Sequence, residues 1–310
     1  MGFDPVVLFF VFGLIAGLVK SELKLPPGLY DTLSIILLLA IGLHGGVELA
    51  EQASPALLGQ TLAVFALGIA LPLAAFPLLR LLRFPRVDAA SIAAHYGSVS
   101  AATFAVVIAY LLARDILFES YMPLFVAVLE VPAIIVGILL AKGVSRNTDW
   151  KALSHEVFLG KSIMLLLGGL IIGMLAGKEA IKPLEPLYTS MFKPVLAFFL
   201  LEMGLIASRH MGSLRTSGPR LVVFALLFPL FGALVGALLG SALGLSVGGV
   251  TVLATLAASG SYIAVPAAMR LALPEANPAL SLTASLGITF PFNILVGIPL
   301  YLSLAQWLAA

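Results

Sequence analysis

The chain has 310 residues, 61% of them hydrophobic, with 17 Lys+Arg, 15 Asp+Glu and a formal net charge of +2. Its mean hydropathy of +1.13 exceeds what a soluble domain can carry on its surface. A soluble enzyme, a nucleic-acid binder and a disordered chain are thereby excluded. A bilayer-crossing helix takes about 20 apolar residues, so ten would use about 200 and leave about 110 for connections, too few for an appended soluble domain.

In chain order, apolar runs between charged or Pro/Gly-rich breaks predict ten spans. They cover 5–20, 31–50, 55–80, 88–113, 120–142, 160–177, 191–208, 219–244, 248–272 and 281–308. The opening MGFDPVVLFF lacks the basic stretch and cleavage site of a signal peptide, so the first run is read as a retained helix. The most polar stretch, KGVSRNTDWKALSHEVFLGK at 142–161, splits the spans five and five. This organises the chain as a first repeat at 1–144, a linker at 145–159 and a second repeat at 160–310. An odd number of spans per half gives the halves opposite topology, the usual construction of secondary transporters. The fold class expected is therefore an all-α polytopic membrane protein, a ten-helix 5+5 inverted repeat.

Basic residues segregate by face. Of the 17, only Arg114, Lys178, Lys182 and Lys193 fall on one side, and the other 13 on the opposite side. The positive-inside bias then places loop 142–161 in the cytoplasm and both termini outside. The expected location is the plasma (inner) membrane of a bacterium. Zero cysteines exclude disulfides and thiolate-bound metals.

The halves carry traces of a repeat. An offset of 161 residues lays Ser98 on Ser259 and Ser100 on Ser261, and EVPAIIVG from Glu130 corresponds to TFPFNILVG from Thr289. Gly42-Leu43 matches Gly204-Leu205 in spans 2 and 7. Gly97-Ser98-Val99-Ser100 and Ser259-Gly260-Ser261 sit about 16–18 Å along otherwise apolar spans, near mid-membrane. Glycine and serine there weaken the helix and permit a break. Freed backbone groups are tolerated only beside protein, ion or cavity. Two discontinuous crossing helices would thus turn half-helix N-termini toward an anion. In span 8, Gly232, Gly236, Gly240 and Gly244, spaced by four, read instead as a packing ridge.

Charged groups at mid-membrane are costly and usually functional. Glu130 is one, with no Lys or Arg at its depth, so a sodium ion or a proton is its expected partner. Thr103 and the freed carbonyls around Gly97 and Ser100 could complete a sodium site, with Thr289 the counterpart of Glu130 in the second half. Glu202, His44 and His95 form a candidate proton-linked or gate set. The lack of a central fixed cation favours a small monovalent anion over dicarboxylates or phosphates.

These residues resemble the sodium-dependent bicarbonate transporter family of SbtA type. The resemblance is strongest in GGVTVLATLAASGSYIAVPAAMRLALPEANPAL and VGIPLYLSLAQWL, and extends to IGLHGGVEL and YGSVSAATF in the first half. It implies a core domain (spans 3–5 and 8–10), a gate domain (spans 1, 2, 6 and 7), a homotrimer, and sodium-coupled bicarbonate uptake by an elevator-like movement. Carried over residue by residue, it puts the anion at Ser98, Ser100, Ser259, Gly260 and Ser261. It puts sodium at Glu130, where the family has Asp, and at Thr103. Tyr262 departs from a family Asp and joins the gate candidates, Ala102 departs from a Ser, and His44, Glu48 and Glu202 depart from uncharged residues. The short central linker argues against the family's PII-like regulator. Expected partners are a small anion and the lipid bilayer, with Na+ as coupling ion and no other cofactor.

Other readings stay open at this point. They are proton- or sodium-coupled transport of another small monocarboxylate, and a transport-inactive membrane receptor or structural protein. A hydrolase built on His95 and Ser98 is disfavoured, because no third group orients the histidine.

Overall fold

The computed structural model describes residues 5–26, 28–52, 55–143, 155, 159–211 and 218–310. Most of the expected linker at 145–159, and the side chain of Glu48, lie outside the described residues. Every element among those described is helical, with no strand. The first half holds α1 (Pro5–Leu18), α2 (Leu29–Gln52), α3 (Pro55–Leu81), α4 (Arg86–Gly97), α5 (Ala101–Leu112) and α6 (Met122–Lys142). The second holds α7 (Lys161–Ile181), the short α8 (Glu185–Tyr188), α9 (Phe192–Met211), α10 (Pro219–Ala242), α11 (Val247–Ala257) and α12 (Ala264–Ala272). Last comes α13, which runs over Pro278–Ala309 and contains two π-helical stretches, Thr283–Thr289 and Asn293–Gly297.

Seven stretches are long and apolar enough to cross a membrane. Three of the expected ten are not among them. Helix α1 has 14 residues, short of the roughly 20 a bilayer asks for. The 248–272 run is divided, leaving 11 residues in α11. Helix α9, which carries Lys193, Glu202 and Arg209, is the third.

Packing separates two groups of helices. Helices α1 and α9 pair, as do α2 and α7. Glycine makes both contacts close: a side chain on Gly204 would run into the Phe10 carbonyl, and one on Gly173 into that of Leu43. Small residues allow this approach between membrane helices. The second group is α3, α4 and α6 packed on one another, and α10, α11 and α13 packed likewise. Gly232 and Gly236 of the expected ridge press on Ala257, and Gly240 on Val250. Gly244 does not join them. Its φ of +73° belongs to the turn after α10, a conformation that a residue without Cβ adopts freely.

Burial ranks the elements. The Arg86–Leu112 stretch is 89% buried and lies at the centre, whereas Lys161–Tyr188 is 28% buried and lies at the rim. Large apolar side chains such as Phe12, Leu58, Leu62, Leu175, Leu227 and Phe231 are exposed. In a polytopic helical protein this outer apolar surface meets lipid.

Candidate functional site at the crossing of two broken helices

Helix α4 stops where Gly97 meets a run of serines. Ser98 takes an extended conformation (φ −92°, ψ −175°) while its N–H still donates to the Ala94 carbonyl at 3.2 Å. Ser100, also extended, caps α5 by accepting the Thr103 N–H on its hydroxyl at 3.0 Å. The short polar side chain satisfies an orphan donor of the new helix, the ordinary role of an N-cap serine. Helix α11 ends at Ala257 with Ala258 still near helical backbone (φ −88°, ψ −5°), and the Ser259 hydroxyl donates to the Leu256 carbonyl at 2.8 Å.

The two breaks meet. The Ser100 N–H donates to the Ser259 hydroxyl at 3.0 Å, and the Ser261 N–H donates to the His95 carbonyl at 2.8 Å. A third link runs from the Ser100 hydroxyl to the Tyr262 hydroxyl at 2.9 Å. These bonds pair part of what the breaks release, which makes broken backbone tolerable deep in the fold. The N-termini of α5 and α12 and the C-termini of α4 and α11 converge here, so opposite partial charges of helix ends lie side by side. Ser98, Ser100, Ser259 and Ser261 are at most 3% exposed. The Ser98 hydroxyl alone among these four has no hydrogen-bond partner.

Gly97 is wedged between Pro72 and Ala133, where any Cβ would collide with the proline ring. That contact sets the crossing against α6, one turn from Glu130. Glu130 is 5% exposed, and no hydrogen bond or ion pair to it occurs among the described residues. A carboxylate in such a place needs a proton or a cation. Thr103 is buried beside the α5 cap. Thr289 is engaged elsewhere, donating to the Ala225 carbonyl at 2.7 Å and bonded to the Tyr96 hydroxyl at 2.6 Å. The Ser100 and Thr289 hydroxyls thus each donate one hydrogen bond and accept one, which leaves each oxygen a lone pair.

The gate candidates lie on separate helices, α2, α4 and α9, and beside the start of α12. His44 stacks on Tyr188, with ring centroids 5.1 Å apart. His95 bonds through Nδ1 to the Ser91 carbonyl at 2.7 Å and lines a different cavity from His44. Glu202 lines neither, and one of its carboxylate oxygens is buried without a partner. Tyr262 occupies a cavity of about 200 Å³ with Tyr30 of α2 and Met203 and His210 of α9, so it faces the other helix group.

One residue was not singled out from sequence. Asn293, fully buried, donates to the Ala258 carbonyl at 2.9 Å and accepts from the Tyr301 hydroxyl at 2.8 Å, pinning the end of α11 to α13. An amide inside the apolar run PFNILVG was the available signal, since a buried polar side chain must find partners.

A multi-span helical membrane protein with two interrupted helices bonded together near its centre has the construction of a carrier rather than of an enzyme. The sequence model of the Na+-dependent bicarbonate transporter superfamily matches residues 5–306, and the chain belongs to that family. No curated protein matches it.

Proposed function

We propose that the chain is a symporter that brings bicarbonate inward with sodium across a bacterial plasma membrane. The observation that carries the reading is the crossing itself: two helix breaks bonded to each other in a buried core, with the unpartnered hydroxyl of Ser98 and the unpaired carboxylate of Glu130 a helix away. Helix N-termini favour anions, and an unpaired buried carboxylate favours a cation. A monovalent anion and sodium bound together neutralise both.

In this reading Ser98, Ser100, Ser259, Gly260 and Ser261 hold the anion, and Glu130, Thr103 and the carbonyls near Gly97 hold sodium. Ser100 and Thr289 each keep a hydroxyl lone pair beyond their present partners with which to meet an ion. The chain is built as a ten-helix inverted repeat, 1–144 and 160–310 about a cytoplasmic linker, with both termini outside. Pairing of α1 with α9 and α2 with α7, mirrored about the chain midpoint, supports that repeat. So does the parallel packing of α3, α4 and α6 and of α10, α11 and α13. Those six helices, with α5 and α12, would form the core that slides as an elevator past α1, α2, α7 and α9. Assembly as a homotrimer follows from the resemblance to SbtA-type proteins.

The test is uptake of labelled bicarbonate into liposomes holding the purified protein, with and without an inward sodium gradient. Uptake that requires sodium supports the reading. Uptake that ignores sodium, or none at all, overturns it.

A further inference from the structure

Beside the crossing lies a cavity of about 290 Å³ that the sites above leave unused. Helix α4 supplies one wall through Ser91 and His95, four residues apart and so on one face. Helix α12 and the turn after it supply the other, from Pro266 through Arg270 to Pro278. The His95 carbonyl accepts the Ser261 N–H, so the cavity ends at the crossing.

Two of its polar groups are open to a ligand, a buried imidazole nitrogen and the guanidinium of the exposed Arg270. His95 Nδ1 lies 2.7 Å from the Ser91 carbonyl, which can only accept, so Nδ1 carries the proton. In the neutral ring Nε2 is then a bare acceptor, and this buried atom has no partner. His95 is 2% exposed, and a buried acceptor left without a donor costs stability. Arg270 donates through Nε to the Pro266 carbonyl at 3.3 Å, and no described carboxylate pairs with its guanidinium. One group calls for an anion, the other for an O–H donor. Water can donate to the histidine but brings no negative charge to the arginine, whereas formate or chloride brings the charge but no hydroxyl. An oxyanion that carries a hydroxyl satisfies both.

We propose that this cavity is a second anion station, adjoining the crossing, where Arg270 takes the charged edge of a bicarbonate-class anion and His95 Nε2 accepts its hydroxyl proton in a hydrogen bond. The station rests on the functional reading above, since it names the selecting groups for the same substrate. It makes the choice between hydroxyl-bearing and plain monoanions at a place separate from the serine cluster.

The experiment titrates the full-length protein, in sodium, with bicarbonate, formate and chloride. It follows thermal stabilisation and uptake in liposomes. Arg270→Gln, at an exposed helix end, weakens the response to bicarbonate and formate alike, about tenfold for a lost charged hydrogen bond. Arg270→Lys recovers part of it. His95→Phe removes the preference for bicarbonate over formate while leaving the formate response in place, a change that a purely structural histidine would not produce. Wild-type concentration dependence in Arg270→Gln overturns the proposal even if His95→Phe fails to fold, and means that the cavity holds only water. A wild-type protein that neither binds nor transports bicarbonate is a different failure, that of the functional reading, and takes the station with it.

Discussion

The Ser100 N–H and the Ser259 hydroxyl, 159 residues apart in the chain, form a 3.0 Å hydrogen bond in the interior. Ser259 in turn donates to the Leu256 carbonyl. One side chain therefore closes the end of α11 and satisfies the backbone that opens α5. The break in one half is stabilised by the break in the other.

Ser259→Ala removes that bridge and leaves the buried Ser100 N–H without an acceptor. The expected loss is about 1–3 kcal/mol. Thermal unfolding in detergent measures it, and an unchanged melting temperature would show that the bond is dispensable.

Glu130→Gln tests the ion site without altering the shape of the side chain. The variant is expected to fold and to lose the stabilisation that sodium, but not potassium, confers on the wild type. Linkage requires this if the ion binds only the folded protein. A sodium response equal to that of the wild type would remove Glu130 from the ion site.

Asn293 and Tyr301 act as a unit. Asn293→Leu strands the Ala258 carbonyl and the Tyr301 hydroxyl, at about 1–3 kcal/mol for each group left unpaired. Tyr301→Phe is expected to cost less, and the double variant less than the sum, because the residues share one bond. Additive losses in a double-mutant cycle would contradict the coupling.

Gly204→Val places methyl groups against the Phe10 carbonyl, which backbone cannot yield cheaply. A loss of about 1–3 kcal/mol or more is expected, with separation of α1 from α9. Gly168→Ala, whose Cβ would meet nothing within 4 Å, is the matched control and should melt like the wild type.

The absence of cysteine makes sidedness simple to read. Arg220→Cys and Lys178→Cys, both at exposed positions, are expected to react with a membrane-impermeant thiol reagent from opposite faces. Arg220→Cys should label only from the cytoplasm. Labelling of both from the same side would overturn the assigned topology.

Much of the architecture was legible because membrane helices announce themselves by length and apolarity. The spans at 55–80, 120–142 and 219–244 return as α3, α6 and α10 with ends shifted by only a few residues. The interruptions at Ser98–Ser100 and Ser259–Ser261 were legible for a related reason, since glycine and serine in an apolar run have weak helix preference. Less was legible where partners decide the outcome. The place of Thr289 before Pro291 is visible in the sequence, but its bonds to Tyr96 and Ala225 follow from packing alone. Gly244 continued a four-residue spacing, yet falls in a turn.

By itself, the sequence determined that this is a multi-span membrane protein with helix breaks inside two apolar runs, because hydropathy and backbone preference are local properties. Only the tertiary structure decided that Ser100 meets Ser259, that Tyr262 meets Ser100, and that His44 stacks on Tyr188. Those outcomes depend on which helices pack together. A hydrogen bond between residues far apart in the chain exists only once packing has brought donor to acceptor and removed the water that would otherwise compete.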